Sequence, residues 1–432
     1  MDRFHSVPIT TGAAPGREAL AVSWLKPIGI LGLSLYNFVM RILTLGIYHF
    51  WGKTEVRRRV WSAIRVNGEP LEYTGTGREL FLGFLFILGG VLIPVMLITF
   101  GMALLLGPGT TAFGAFQVLL YAGFMLLTGI AIYRAQRFRL SRTRWRGIRA
   151  GLDGSSWTYG WTYFWTLLTL PATLGWSAPW RSTKLQRLLT RDMRFGTQHF
   201  TFSASSKPLY KPFALYWVAM AAAAVGLLAI IAGSGAAYST LMQAKIDENG
   251  GSPVDLDTAE VAGLVLTIYL ALFVGGLLYV VLSAWYRAAT MRHFARHTHL
   301  EGVGFESTVT ARGLLWIALT NYAILIFGAT LVTLVAGGAA YMALSLLADP
   351  AMASLGEAGF GHAASALSII LGFVLVLSLG MLLPVTQARS TGYLIRNLSV
   401  TGSLDMASIA AGAEPTSKRG EGLAQAFDID AL

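Results

Sequence analysis

Four stretches of this chain, 80–133, 212–244, 261–286 and 313–348, contain no Asp, Glu, Lys or Arg. About 20 apolar residues suffice to cross the hydrocarbon of a bilayer, so runs this long read as membrane spans rather than buried core helices. Breaks within them count the spans. Residues 80–133 make two helices turning at Gly107-Pro108-Gly109; 212–233 and 261–285 flank an acidic loop; 313–346 and 364–386 flank a second short loop. Six full spans follow. The polar connectors between them have a pattern of their own: a helix leaving the membrane with arginines on one face, an Asn-Gly-like turn, then a short alternating segment such as Leu71-Glu72-Tyr73. Isolated short strands are not stable, so the connectors are expected to pair or stack beside the bilayer.

The connector pattern recurs. At a shift of 129 residues, Thr44-Leu45-Gly46 falls on Thr173-Leu174-Gly175, Trp51 on Trp180, Arg58 on Arg187, Arg65 on Arg194 and Leu71 on Phe200. A shift of 86 pairs Arg58 with Arg144 and Asn67-Gly68 with Asp153-Gly154; a shift of 234 pairs Trp51 with Trp285, Arg58 with Arg292 and Leu71 with Phe305. A fifth, degenerate copy runs from Arg389 to Gly402, with Arg396 in register with Arg191 and Arg296. Fixed-period self-similarity of this kind points to a fold built from repeated units. The chain divides accordingly into an N-terminal segment 1–19, a first unit 20–156, a second 157–312, a partial third 313–404, and a mobile tail 405–432.

Charge orients the array, because short loops rich in Lys and Arg stay on the cytoplasmic side. Connector 134–149 holds seven arginines and 52–78 is similarly basic, whereas 245–260 holds Asp247, Glu248, Asp255, Asp257 and Glu260 against Lys245. All connectors and the tail are therefore expected to be cytoplasmic. Segment 157–180 then has basic flanks on both sides but length for only one crossing. A re-entrant hairpin breaking near Pro171 resolves the conflict, provided protein surrounds it. Segment 20–51, ending in the same Thr-Leu-Gly and preceded by Gly16-Arg17-Glu18 as Gly77-Arg78-Glu79 precedes the next hairpin, reads as its twin. One tilted span in each place is the alternative, which would move everything upstream to the other side. The expected fold class is thus an all-α polytopic membrane protein with about six full transmembrane helices, two short re-entrant hairpins and small cytoplasmic β-containing connectors.

Composition agrees: 54% hydrophobic and 13% charged residues, with a mean hydropathy of +0.58, imply a bilayer as solvent. The start at Met1-Asp2-Arg3 has no signal-peptide pattern, so the first hydrophobic segment is expected to be retained. The absence of cysteine excludes disulfides and thiolate metal sites. The run Leu43-Thr44-Leu45-Gly46-Ile47-Tyr48-His49-Phe50-Trp51-Gly52-Lys53, with Arg57-Arg58-Arg59, Asn67-Gly68 and Glu72-Tyr73-Thr74-Gly75-Thr76-Gly77-Arg78-Glu79-Leu80, resembles the YjgN-like family of bacterial inner-membrane proteins, also called domain of unknown function 898. That resemblance implies an inner-membrane location and carries over no catalytic residue.

No reaction centre is visible: the spans hold no Ser/His, paired-carboxylate or metal-ligand constellation, and neither enzyme activity nor a cofactor is expected. His293 and His297 share a helical face, but Arg292 and Arg296 beside them disfavour a metal. Gly75-Thr76-Gly77 lacks the following lysine of a phosphate loop. Arg41 lies within the first hydrophobic segment, where a charge costs roughly a few kcal/mol and implies a partner or water; it reads as a snorkelling or structural residue, or as part of a ligand pathway. Arg58, Arg144, Arg187 and Arg292 read as positive-inside anchors or as a ring for anionic headgroups, and Trp51, Trp180 and Trp285 as interfacial belt residues. The net charge of +11 clusters at span ends, which favours anionic membrane lipid over nucleic acid as partner. Two functional readings remain: non-catalytic handling or transport of an amphiphile, lipid or anionic solute, suggested by paired broken segments, and a membrane scaffold or assembly protein, suggested by the lack of intramembrane carboxylates.

Overall fold

The computed structural model describes residues 17–250, 258–347, 356–406 and 409. Strands β1 (Arg17–Ala19) and β2 (Val22–Trp24) lead into a helical hairpin, α1 (Ile30–Leu43) and α2 (His49–Ala63). Strands β3 (Ile64–Val66), β4 (Glu69–Pro70) and β5 (Glu72–Tyr73) follow. Helix α3 (Gly77–Ile87) passes through a π-helical turn at Leu88–Leu92 into α4 (Ile93–Leu106), and α5 (Thr111–Ser141) returns to β6 (Thr143–Trp145) and β7 (Ile148–Leu152). A second short hairpin, α6 (Ser156–Ala172) and α7 (Ala178–Asp192), leads to β8 (Met193–Phe195), β9 (Gln198–His199) and β10 (Thr201–Phe202). The long pair α8 (Lys207–Glu248) and α9 (Thr258–Arg296) precedes β11 (Thr298–Leu300) and β12 (Val303–Ser307). The pair α10 (Ala311–Leu347) and α11 (Gly356–Arg396) precedes β13 (Leu398–Asp405).

Among the described residues, five stretches are long and apolar enough to cross a membrane: Gly77–Leu106, Thr111–Ser141, Lys207–Glu248, Val261–Arg296 and Ala311–Ala340. The expected sixth span, 364–386, lies inside the 41-residue helix α11. The chain is therefore a polytopic helical membrane protein.

The connectors pair, and they do so in a closed ring. Every neighbouring pair is antiparallel, from β2·β3·β4 through β5·β6·β7·β8·β9 and β10·β11·β12·β13 to β13·β1. The three sheets join because β4 and β5 flank Leu71, β9 and β10 flank Phe200, and β1 and β2 flank Leu20-Ala21 on continuous chain. Strands therefore follow one another around the ring in sequence order, and the first meets the last. Closure leaves no unpaired edge to recruit another strand. The interior is filled: Ile148, Leu300, Val303, Leu404 and Ile409 form one buried cluster, with Phe195, Phe200 and Phe305 against it.

Each helical excursion begins and ends on adjacent ring strands, and a backbone bond closes each mouth. Leu25 N–H donates to the Ala63 carbonyl, Thr74 to Arg142, Asp153 to Asp192, Ser203 to His297 and Thr308 to Asn397, at 2.8–3.1 Å. The two short segments lie in hairpins rather than single crossings: both ends of α6–α7 (156–192) lie on the ring side, because β7 and β8 are hydrogen-bonded neighbours, and the same holds for α1–α2 (30–63) through β2 and β3. The chain enters and returns.

The two hairpins turn alike. Leu45 and Gly46 have φ of 50° and 90°, Leu174 and Gly175 of 49° and 84°. Thr44 Oγ1 accepts from Tyr48 N–H, and Thr173 Oγ1 accepts from Ser177 N–H. The break thus falls at Thr173-Leu174-Gly175; Pro171 sits in the last turn of α6, where it gives up the bond its N–H would have made to the preceding turn. The tip is shallow. Trp217 Nε1 donates to the Leu174 carbonyl at 2.7 Å, and Trp217 is only five residues beyond the start of the charge-free run at 212, about 8 Å at 1.5 Å per residue. The return helices stay polar, α7 carrying Arg181, Lys184, Arg187 and Arg191.

Three expectations are corrected. Residues Arg17–Ala19 are not a separate N-terminal segment but the strand that closes the ring, so the likeness of Gly16-Arg17-Glu18 to Gly77-Arg78-Glu79, which opens α3, is not structural. The turn matching Asn67-Gly68 in the second connector is Arg146-Gly147, with φ of 50° and 77°, rather than Asp153-Gly154. The register is therefore shifted by 79 residues and not 86. Of the tail expected to be mobile, only Asp405, Met406 and Ile409 lie within the described residues, and Ile409 is buried in the ring.

Candidate functional site

The corrected register changes what the repeated arginines are. Arg58, Arg137, Arg187 and Arg292 each stand six residues before the strand that follows (Ile64, Thr143, Met193, Thr298). Each donates to the carbonyl seventeen residues on, just ahead of the next helix: Arg58 to Gly75 at 3.0 Å, Arg137 to Gly154, Arg187 to Ala204 at 2.8 Å and Arg292 to Val309 at 2.5 Å. A guanidinium can hold a planar fork on a carbonyl that has no other donor, so each arginine clasps the end of one excursion to the beginning of the next. Arg144 is not among them. It lies in β6, directly opposite Arg149 on one side and Glu72 on the other, with its Nε buried and unpaired. Burial, and then the charges of Arg144 and Arg142, depress the Arg149 pKa. The signal that could have found Arg137 is its distance to the strand, not the surrounding basicity.

Trp51 and Trp180 sit in the first turn of the return helices, just past the hairpin tips, and Trp285 lies near the ring end of α9. Trp51 stacks on Tyr48 and meets Phe81, and Trp180 carries Lys184 over its ring at 4.9 Å. Trp285 is partly covered. The histidines are committed to backbone: His293 Nε2 to the Ser205 carbonyl at 2.7 Å and His297 Nδ1 to the His293 carbonyl at 2.8 Å. Among the described residues no group of three or more His, Asp or Glu gathers as metal ligands do.

Two arginines enter apolar helices, and their surroundings differ. Arg389 of α11 is satisfied by α10, through Nε to Asn321 Oδ1 at 3.0 Å and Nη2 to Thr320 Oγ1 at 2.8 Å. Arg41 has no such neighbour: its Nε is buried with no hydrogen-bond partner, and its Nη1 lies 3.7 Å from where a side chain on Gly380 would begin. Antiparallel packing of α1 on α11 thus brings the Arg41 guanidinium to Gly380, eight residues inside the uncharged run that ends at Ala388. Asn37, one turn earlier, is buried with its Oδ1 also unpaired. The matching stretch of the second hairpin has Thr166 and Leu170 instead.

Above the ring the helices form a circle of neighbours. Substantial helix–helix packing among the described residues joins chain neighbours, and α11 to α1 and α2 where the circle closes. None of the most apolar stretch of α8 or α9 is buried by protein, and in α5, the best covered, only 17% is. Protein therefore leaves most of the apolar surface of these helices uncovered.

Comparison with known proteins agrees with this architecture. The family model described as "Bacterial protein of unknown function (DUF898)" matches residues 30–426, nearly the whole helix circle and ring. The chain belongs to that family. A curated relative, "Inner membrane protein YjgN" of Salmonella typhimurium (strain LT2), is 28% identical over 130 residues, which cover 29% of this chain and 30% of that protein. The chain thus spans under a third of the curated relative it matches. No solved structure is similar.

Proposed function

We propose that this DUF898 protein is a non-catalytic amphiphile-handling protein of the bacterial inner membrane, with its ring, connectors and tail on the cytoplasmic side. The observation that supports it is the combination of a closed, apolar-filled ring with a helix circle packed chiefly between neighbours and left largely uncovered on its apolar faces. Apolar helix surface left uncovered by protein is solvated in a bilayer by acyl chains, because the hydrocarbon core holds no water. A filled ring offers no aqueous path along its axis, so a guest enters sideways between helices. The basic connectors, Arg58, Arg144, Arg187 and Arg292 among them, supply the positive field that draws anionic leaflet lipid. The shared turn of the two short hairpins supports an origin by repetition.

Native mass spectrometry of the purified chain tests this: several lipids should persist through exhaustive detergent exchange, and a lipid-free spectrum would end the proposal. Orientation is checked with single cysteines in a chain that has none. Those at Ser141, Ser182 and Ser399 should be shielded from an impermeant thiol reagent in intact cells, and one at Ser252 should react. A scaffold or assembly protein without a substrate is the second reading; the packed ring favours it, and it predicts lipid loss with no change in fold.

A further inference from the structure

We propose that Arg41 is the anion-binding residue of a single amphiphile site, which takes a phosphate or carboxylate headgroup in the seam of α1 and α11 with its chains against α1. This rests on the amphiphile reading above and narrows it to one residue and one chemistry. A guanidinium does not lose its charge at accessible pH. In hydrocarbon it is stable only beside an anion, a set of dipoles, or water. Arg389 shows what the protein does when the partner is internal: Asn321 and Thr320 are provided on the facing helix. At Arg41 the facing position is Gly380, which leaves room and provides no acceptor.

A snorkelling side chain that reaches the headgroup layer is hydrated there, whereas the Arg41 Nε is buried without a hydrogen-bond partner and its Nη1 lies against Gly380 in the seam of α1 and α11. The surface next to the site suits acyl chains: Leu43 is 71% and Leu45 94% exposed at the hairpin tip. An anion held at Arg41 with hydrocarbon along the exposed leucines describes a lipid or fatty acid better than a small hydrophilic anion, and the two sources are separable.

The test is thermal melting of the full chain in neutral detergent, for wild type, Arg41→Gln and Arg41→Lys. Each is run alone, with phosphatidylglycerol, with phosphatidylcholine and with inorganic phosphate. Wild type should gain several degrees with phosphatidylglycerol and little with phosphatidylcholine or phosphate. Arg41→Gln should lose that gain with its ligand-free melting unchanged, and Arg41→Lys should keep most of it. An equal gain with inorganic phosphate would overturn the lipid assignment in favour of a soluble anion. A large fall in ligand-free stability of Arg41→Gln, or an undiminished response to phosphatidylglycerol, would overturn the site. Native mass spectra of Arg41→Gln keep the two proposals apart: loss of one anionic lipid with the remainder retained removes only this site's occupant, whereas a lipid-free wild type removes the helix-circle reading itself.

Discussion

At four joints of the ring an arginine reaches seventeen residues forward to tie the end of one helical excursion to the start of the next, whereas at the fifth, where α11 meets β2, glycine occupies the arginine's place. Gly392 stands six residues before β13, and a Cβ there would lie 2.6 Å from the Trp24 ring. The four clasped joints are continuous in sequence, so the chain itself limits how far their halves can part. The fifth joins the first strand to the last and has no such tether. It is held by surface instead: Trp24, Ile30, Leu33, Trp61, Val56, Val60 and Ala388 pack together there, and β1 pairs with β13 over Arg17↔Asp405, Glu18↔Leu404 and Ala19↔Ser403. Directional bonds serve where the parts are already close, and buried apolar area where they must be brought from afar.

The largest effect is expected at the untethered joint. Gly392→Leu forces Trp24 off α11 and should cost roughly 3 kcal/mol, the upper part of the usual overpacking range. Its readout is a cysteine pair at Ala19 and Ser403, which should oxidise readily in the parent and poorly in the variant; equal oxidation would show that Trp24 does not hold the seam. Next come the clasps. Arg137→Gln and Arg292→Gln, both partly buried, should each lower stability by about 1–2 kcal/mol, and the more exposed Arg58 and Arg187 by less. Because the joints share no side chains, the double variant Arg137→Gln/Arg292→Gln should sum the two losses; a strongly non-additive result would mean that the ring responds as one unit. The smallest change is a gain. Arg149→Thr removes a like charge directly opposite Arg144 and should raise stability by about 0.2–1 kcal/mol, a shift in melting that disappears at high salt if repulsion is its cause.

What could be read in advance follows from how local the determinants are. Charge-free runs announce helices without reference to anything else, and the duplicated Thr-Leu-Gly specified its turn because a threonine hydroxyl, a left-handed leucine and a glycine act within five residues. Pairing of the connectors was also legible, since short strands without partners are unstable. The register of the second connector was not, because Arg146 at φ 50° does the work expected of asparagine, and Asp153-Gly154 imitates a turn while Asp153 in fact binds Arg194 at 2.8 Å. In a connector with seven arginines, nothing in composition distinguishes the clasp Arg137 from Arg144. The seam is hidden for another reason. Arg17-Glu18-Ala19 becomes a strand only when β13 lies beside it, and the fit of Trp24 on Gly392 depends on residues far apart in sequence.

The pairing of β1 with β13 also has a consequence in time. The two strands lie about 390 residues apart, so during synthesis the first ring strand leaves the ribosome long before its partner exists. Chains grow at about 5–20 residues per second, so β1 waits on the order of half a minute while five excursions are inserted. Throughout that interval it presents an open edge able to pair wrongly. Its shortness and its sequence, Arg-Glu-Ala, make it a poor template in the meantime. Completion of the ring thus reports that every intervening helix has been placed, and a chain stalled or misinserted at any of them is left with two unmatched ends for quality-control proteases to find.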